Sequence, residues 1–175
     1  MTAAAEGTHA SSHHYWLRIG LMVVAALELM DALASLSTIF IDTHPASALL
    51  QLEQTLLNAK LALAPLTAGA ALVFAALGWL RPAVLALATF AFMGWALDDV
   101  WSIVIHGFGF RPDQYYGTVH AFAHEVIFPL GALLGAGLAL HGRHLAWAGF
   151  FASLPPLFNW TGVLLFAISV IMHGF

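Results

Sequence analysis

Residues 82–106 read PAVLALATFAFMGWALDDVWSIVIH. Pro82 opens the stretch at a position where a helix tolerates proline, because the missing N–H would have no intrahelical partner there. Residues 83–97 carry no charge and no helix-breaking proline. About 20 mostly apolar residues are enough to cross a bilayer as a helix, so this stretch predicts a transmembrane span. Two adjacent carboxylates, Asp98 and Asp99, then interrupt it. The same 25 residues therefore raise both questions of this chain: how it sits in a membrane, and why it carries acid there.

Four further stretches on either side have the same length and apolar character, at about 16–41, 59–80, 118–140 and 144–173. The fold class expected is an all-α integral membrane protein, a polytopic bundle of about five transmembrane helices in a single domain over residues 16–175. Transmembrane strands would alternate apolar and polar residues, whereas these segments are apolar all round. Composition agrees. Of 175 residues, 61% are hydrophobic and 8% charged, and mean hydropathy is +0.88. Soluble domains carry about 25% charged residues.

The connections are short. Residues 1–15 are small, polar and contain His9, His13 and His14; they read as a disordered tail. A signal peptide does not fit, because the first apolar run far exceeds the usual 7–15 residues. Residues 46–58 place Leu49, Leu50, Leu52, Leu56 and Leu57 at helical spacing, which predicts an amphipathic surface segment or an extension of the second span. Pro155-Pro156 lies inside the fifth stretch. It predicts one kinked helix, or a half-helix followed by a full span. The loop GFGFRPDQYYG, residues 107–117, reads as a lid or an interfacial turn.

Composition also narrows function. The chain has no cysteine, which excludes thiolate metal sites and iron–sulfur clusters. Five Lys and Arg stand against nine Asp and Glu, so no basic surface exists for nucleic acid. Ten histidines make the chain histidine-rich.

The residues that carry chemistry are those that a bilayer disfavours. Glu28 and Asp31 lie in the first span, Asp98 and Asp99 in the third, and His120, His124 and Glu125 at the start of the fourth. A charge near the bilayer centre costs about 2.5–3.5 kcal/mol on the insertion scale. No Lys or Arg is expected inside a span to neutralise these acids. They can take up protons, pair with histidine or bind a cation. At about 100° per residue, Asp98, Asp99, Ser102 and His106 share one helix face, as do Glu28, Asp31 and Ser35, and as do His120 and His124. Glu125 falls at the edge of its face. Polar stripes in lipid turn towards one another. Depth agrees, since the third span ends and the fourth begins on one side, where His44 and His173 also fall.

The expected site is therefore an intramembrane cluster of Asp98, Asp99, His106, His120, His124 and Glu125, with Glu28, Asp31 and Ser102 as supporting or proton-relay groups. A metal cation is the first expected occupant, and imidazole with carboxylate suits Zn, Fe, Cu or Mn. His120-x-x-x-His124 has the spacing that lets two imidazoles reach one ion, although the H-A-F-A-H-E order is not that of a metalloprotease helix. Haem b between two axial histidines is a weaker expectation. Other classes stay open: a small accessory or structural subunit of a larger membrane complex, a proton-coupled transporter, or a lipid-active isomerase or hydroxylase using Asp, Glu and His as acid and base. Homo-oligomerisation is compatible with each. Gly131-x-x-x-Gly135 predicts close helix approach, foremost within the bundle.

Orientation follows from loop charge. Arg18, Arg81 and Arg143 lie on one side, Lys60 and Arg111 on the other. The bias predicts a cytoplasmic N-terminus. The Ala-, Gly- and Leu-rich, Arg-over-Lys composition points to a bacterial inner membrane.

Overall fold

The computed structural model describes residues 3–40, 47–107, 115–142 and 144–174, with the side chains of 3–13, 40, 106, 115, 116 and 173 outside the description. The described residues form eight α-helices and three tighter or wider turns. In chain order these are α1 (Ala3–Ser35), a 3-10 turn (Leu36–Phe40), α2 (Ala48–Ala76), α3 (Leu80–Gly94), a π-helical turn (Trp95–Asp99) and α4 (Val100–His106). Then come α5 (Tyr115–Phe122), a second π-helical turn (Ala123–Ile127), α6 (Phe128–His141), α7 (Leu145–Ala152) and α8 (Leu154–His173). The two π turns join their flanking helices, so five helical stretches are long and apolar enough to cross a membrane: His14–Ile39, Ala48–Ala76, Leu80–Ile105, Gly117–His141 and Leu154–Met172.

Three details differ from the sequence expectation. α1 runs as helix from Ala3, through the stretch read as a tail, where Ala and Glu are good helix formers. α2 starts at Ala48 rather than near 59, because Ser47 caps it by accepting a hydrogen bond from the Leu50 N–H at 3.3 Å. Residues 48–58 are thus the first turns of α2, the extension reading of that segment. Finally, the fifth stretch is divided. Ser153 separates α7 from α8, and Pro155 and Pro156 occupy the first turn of α8. Neither proline can donate to the preceding turn, so the chain breaks where the donors are missing. The half-helix and full-length helix form the second of the two predicted arrangements.

The bundle closes on small residues. Ala64, Ala68, Ala71 and Ala75 form one buried stripe of α2. Ala83, Val84, Leu87, Ala88 and Ala91 form the facing stripe of α3. α1 packs on α2, α2 on α3, α3 on α6, and α6 on α7. Such small residues let the helices approach one another closely. α8 stands apart, with nearly all of its length exposed.

The helix ends on the N-terminal side are closed by arginine. Arg18 donates through Nε to the Ala75 carbonyl at 3.1 Å and through Nη2 to the Ala76 carbonyl. It thereby satisfies the last carbonyls of α2 and its negative dipole end. Arg81 reaches the Gly142 carbonyl, which follows α6, at 3.5 Å. Trp16, Trp79 and Trp147 lie exposed at the same end of the bundle, as an interfacial aromatic belt requires.

The Gly131-x-x-x-Gly135 pair works inside the bundle, against α7. A Cβ on Gly135 would meet the Ala148 carbonyl oxygen at 2.9 Å and the Ala152 nitrogen at 3.0 Å, both backbone atoms that cannot swing aside. Gly137 has open space instead. Gly135→Val is therefore expected to destabilise the bundle by about 1–3 kcal/mol, while Gly137→Ala is near neutral. Thermal unfolding of both variants in detergent checks this, and equal midpoints would contradict it.

Candidate functional site: two facing helical turns around a lysine–aspartate pair

The two π turns are where the sequence-predicted acids and histidines sit. Asp98 and Asp99 close the first, and His124 and Glu125 lie within the second. In each, the hydrogen bond spans five residues: Val100 N–H donates to the Trp95 carbonyl, and Phe128 N–H donates to the Ala123 carbonyl. Such single wide turns inside α-helices gather at functional sites. Here the two turns also touch each other.

The second turn has a local cause. Pro129 cannot donate, and a proline ring clashes with the carbonyl four residues earlier, which is that of Glu125. Widening the helix over 123–127 relieves that clash and leaves the Glu125 carbonyl without its α-helical donor. The indole of Trp95 fills the gap, donating from Nε1 to the Glu125 carbonyl oxygen at 3.2 Å. Trp95 is the first residue of the other π turn. One hydrogen bond therefore ties the two distorted turns together.

A lysine stands in the middle of this arrangement. Lys60 Nζ forms an ion pair with Asp98 Oδ2. Its Cε lies about 4 Å from where a Cβ would stand on Gly94, an ordinary contact distance, so the lysine stem runs alongside Gly94 to Asp98 one turn further along. This corrects the expectation that no Lys or Arg occupies the interior of a span. The physical reason is the early start of α2, which turns Lys60 from a loop residue into a mid-helix one. Hairpin geometry explains the partner: Lys60 lies 18 residues before Gly78 and Asp98 lies 20 residues after it, in antiparallel helices. The two side chains remain 31% and 38% exposed, so the pair is not sealed off.

Around the pair the other groups assemble. Asp99 has Asp98, Lys60 and Glu125 as its electrostatic neighbours. His124 has His120, Lys60 and Asp98 as its electrostatic neighbours, with Asn159 of α8 beside it. Its Nε2 is buried without a hydrogen-bond partner among the described residues. The rings of His120 and His124 stack at 4.3 Å between centroids and 21° between planes. Phe128 and Phe158 flank His124 at 4.8 and 6.4 Å.

Asp98, Asp99, His124, Glu125 and His120 thus belong to one neighbourhood. Glu28 and Asp31 do not figure in it. Glu28 is buried in α1 and has Asp31 as its electrostatic neighbour, while Asp31 itself is exposed. Ser102 is half-buried on α4, beyond the first π turn. The side chains of His106 and His173, and all of His44, lie outside the described residues. Among the described residues no group of three or more metal-ligating side chains converges. In-plane lone pairs on two stacked, nearly parallel rings do not point at a common ion.

Sequence reasoning missed Lys60, Trp95 and Asn159. The first was legible from the hairpin register. The second follows from Pro129, once the orphaned carbonyl at Glu125 is recognised. Asn159 of α8 lies beside His124. No protein-family model, curated protein or solved structure matches the chain.

Trp95→Phe removes the indole donor and leaves the Glu125 carbonyl unsatisfied, at an expected cost of about 1–3 kcal/mol. Pro129→Ala restores a backbone N–H four residues after Glu125. In that background Trp95→Phe should cost markedly less. Unfolding midpoints of the four proteins check the coupling, and strictly additive effects would contradict it.

Proposed function

We propose that the chain is a polytopic membrane protein whose work is done by an intramembrane proton-transfer centre. The centre comprises Asp98, Asp99, Glu125, His120 and His124, with Lys60 as its fixed positive charge. One observation carries the reading: three helices bring three carboxylates, two imidazoles and one ammonium into a single half-buried neighbourhood at the two π turns. Acids and histidines inside membrane helices are the usual material of proton relays.

The ion pair also bears on the occupant. Lys60 already supplies a positive charge to Asp98, and a divalent cation at the same carboxylate would be repelled by it. A proton is the charge that this centre can gain and lose without displacing the lysine. The chemistry supported is acid–base work, as a relay or on a substrate that enters from the bilayer.

The charge distribution supports the orientation. With Lys60 inside a helix, Arg18, Arg81 and Arg143 face only Arg111 on the other side. By the loop-charge rule the N-terminus is cytoplasmic, and the proton-transfer centre lies in the outward half of a bacterial inner membrane.

The test is infrared difference spectroscopy of the tag-free protein in lipid across a pH titration. A protonated-carboxyl band that rises and falls with pH, and that Asp99→Asn or Glu125→Gln removes, is the expected result. His124→Gln should shift its midpoint. A silent carboxyl region in wild type would overturn the reading. So would a stoichiometric metal that His124→Ala removes, which would place a cation in the centre. A Soret band would make the chain a cytochrome.

A further inference from the structure

A groove of about 1030 Å³ runs between α5 and α6 on one side and α8 on the other. It owes its existence to the break at Ser153, where the two prolines let α8 leave the bundle. Its wall is apolar and aromatic, with Phe122, Phe128, Phe150, Phe158 and Phe166 among the lining residues. Sites for small organic ligands span about 300–1,000 Å³, so the groove has room for an extended chain as well as a head.

Its polar residues are few and placed together. His120 and Asn159 line the groove, and both adjoin His124, the first by ring stacking. The groove and the half-buried charged cluster therefore meet at one point. Of the other polar linings, Thr161 already donates to the Leu157 carbonyl at 2.6 Å. Among the described residues, no Lys, Arg, Asp or Glu lines the groove.

Resting on the proton-transfer reading above, we infer that this groove binds an uncharged membrane lipid with a long apolar chain and a small carbonyl- or hydroxyl-bearing head, the class to which isoprenoid quinones belong, with its head at His120 and Asn159. The described lining offers a phosphate head no cation, and its burial without one is costly. The aromatic wall suits an unsaturated or ring-bearing ligand, since ring edges and faces pack favourably against it. An amide and an imidazole offer both a donor and an acceptor to a carbonyl or hydroxyl oxygen. Entry is lateral, from the bilayer, because α8 is exposed along nearly all of its length.

The probe is decylubiquinone, titrated into the protein in nanodiscs, with binding read from quenching of tryptophan fluorescence and from the shift in thermal midpoint. Decyl phosphate serves as the charged-head control. Saturable binding of the quinone, with the phosphate at least tenfold weaker, is expected. Asn159→Leu should weaken binding about tenfold, the worth of one hydrogen bond. Gly162→Phe, on the groove wall, should abolish it while the circular dichroism spectrum stays that of wild type. Trp79→Phe, at a residue that does not line the groove, should bind as wild type does. Absent saturation, equal binding of the two probes, or quinone binding unchanged by both groove variants would overturn the inference. Binding is read without reference to proton transfer. A titrating carboxyl with no quinone binding defeats this inference alone, and quinone binding with a silent carboxyl region defeats the proton-transfer reading alone.

Discussion

An ammonium and a carboxylate inside a helical bundle must be paired, or the helices that carry them do not stay together. The Lys60–Asp98 ion pair meets that condition and much of the arrangement follows from it. The pair fixes the register of the α2–α3 hairpin, since sliding either helix by a turn would leave both charges in an apolar setting. Both side chains keep about a third of their surface exposed, so water still reaches the pair. Asp99 and the facing turn of the next helix are then held at a defined depth around it. The small-residue stripes of α2 and α3 bring the backbones close enough for the lysine stem to cross over Gly94.

The two π turns convert this pairing into a site. Each widens a helix by one residue at the place where polar side chains are needed, and each leaves backbone groups out of the α-helical pattern. Pro129 accounts for the second. The hydrogen bond from Trp95 to the Glu125 carbonyl makes the distortion of one helix satisfy that of the other. The same proline logic acts again at Pro155-Pro156, where it releases α8 and opens the apolar groove. Three prolines thus set the positions of the carbonyls, the histidines and the lipid-facing opening.

The helical fold was legible because its signal is the simplest that a sequence carries. Long apolar runs such as 82–97 leave few alternatives. The site was legible in part. Asp98, Asp99, His124 and Glu125 stand out because charge inside an apolar run is expensive wherever the helix packs. Lys60 was hidden by a boundary: with the second helix begun near 59 it belongs to a loop, and with Ser47 as cap it belongs to the interior. The stacking of His120 on His124 was also beyond reach, since their spacing serves metal ligation and ring stacking equally well. The linkage of Asn159 to His124 depends on how α8 leaves Ser153, a tertiary fact.

The Lys60–Asp98 pair is tested most directly by exchanging its charges. Unfolding midpoints in detergent would be compared for wild type, Lys60→Asp, Asp98→Lys and the doubly exchanged protein. Each single change places two like charges side by side and should lower the midpoint strongly. The double exchange should recover most of the loss, with a coupling of about 0.5–3 kcal/mol. Single and double changes that add without recovery would show that Lys60 and Asp98 do not meet, and the site built around them would fall with the pair.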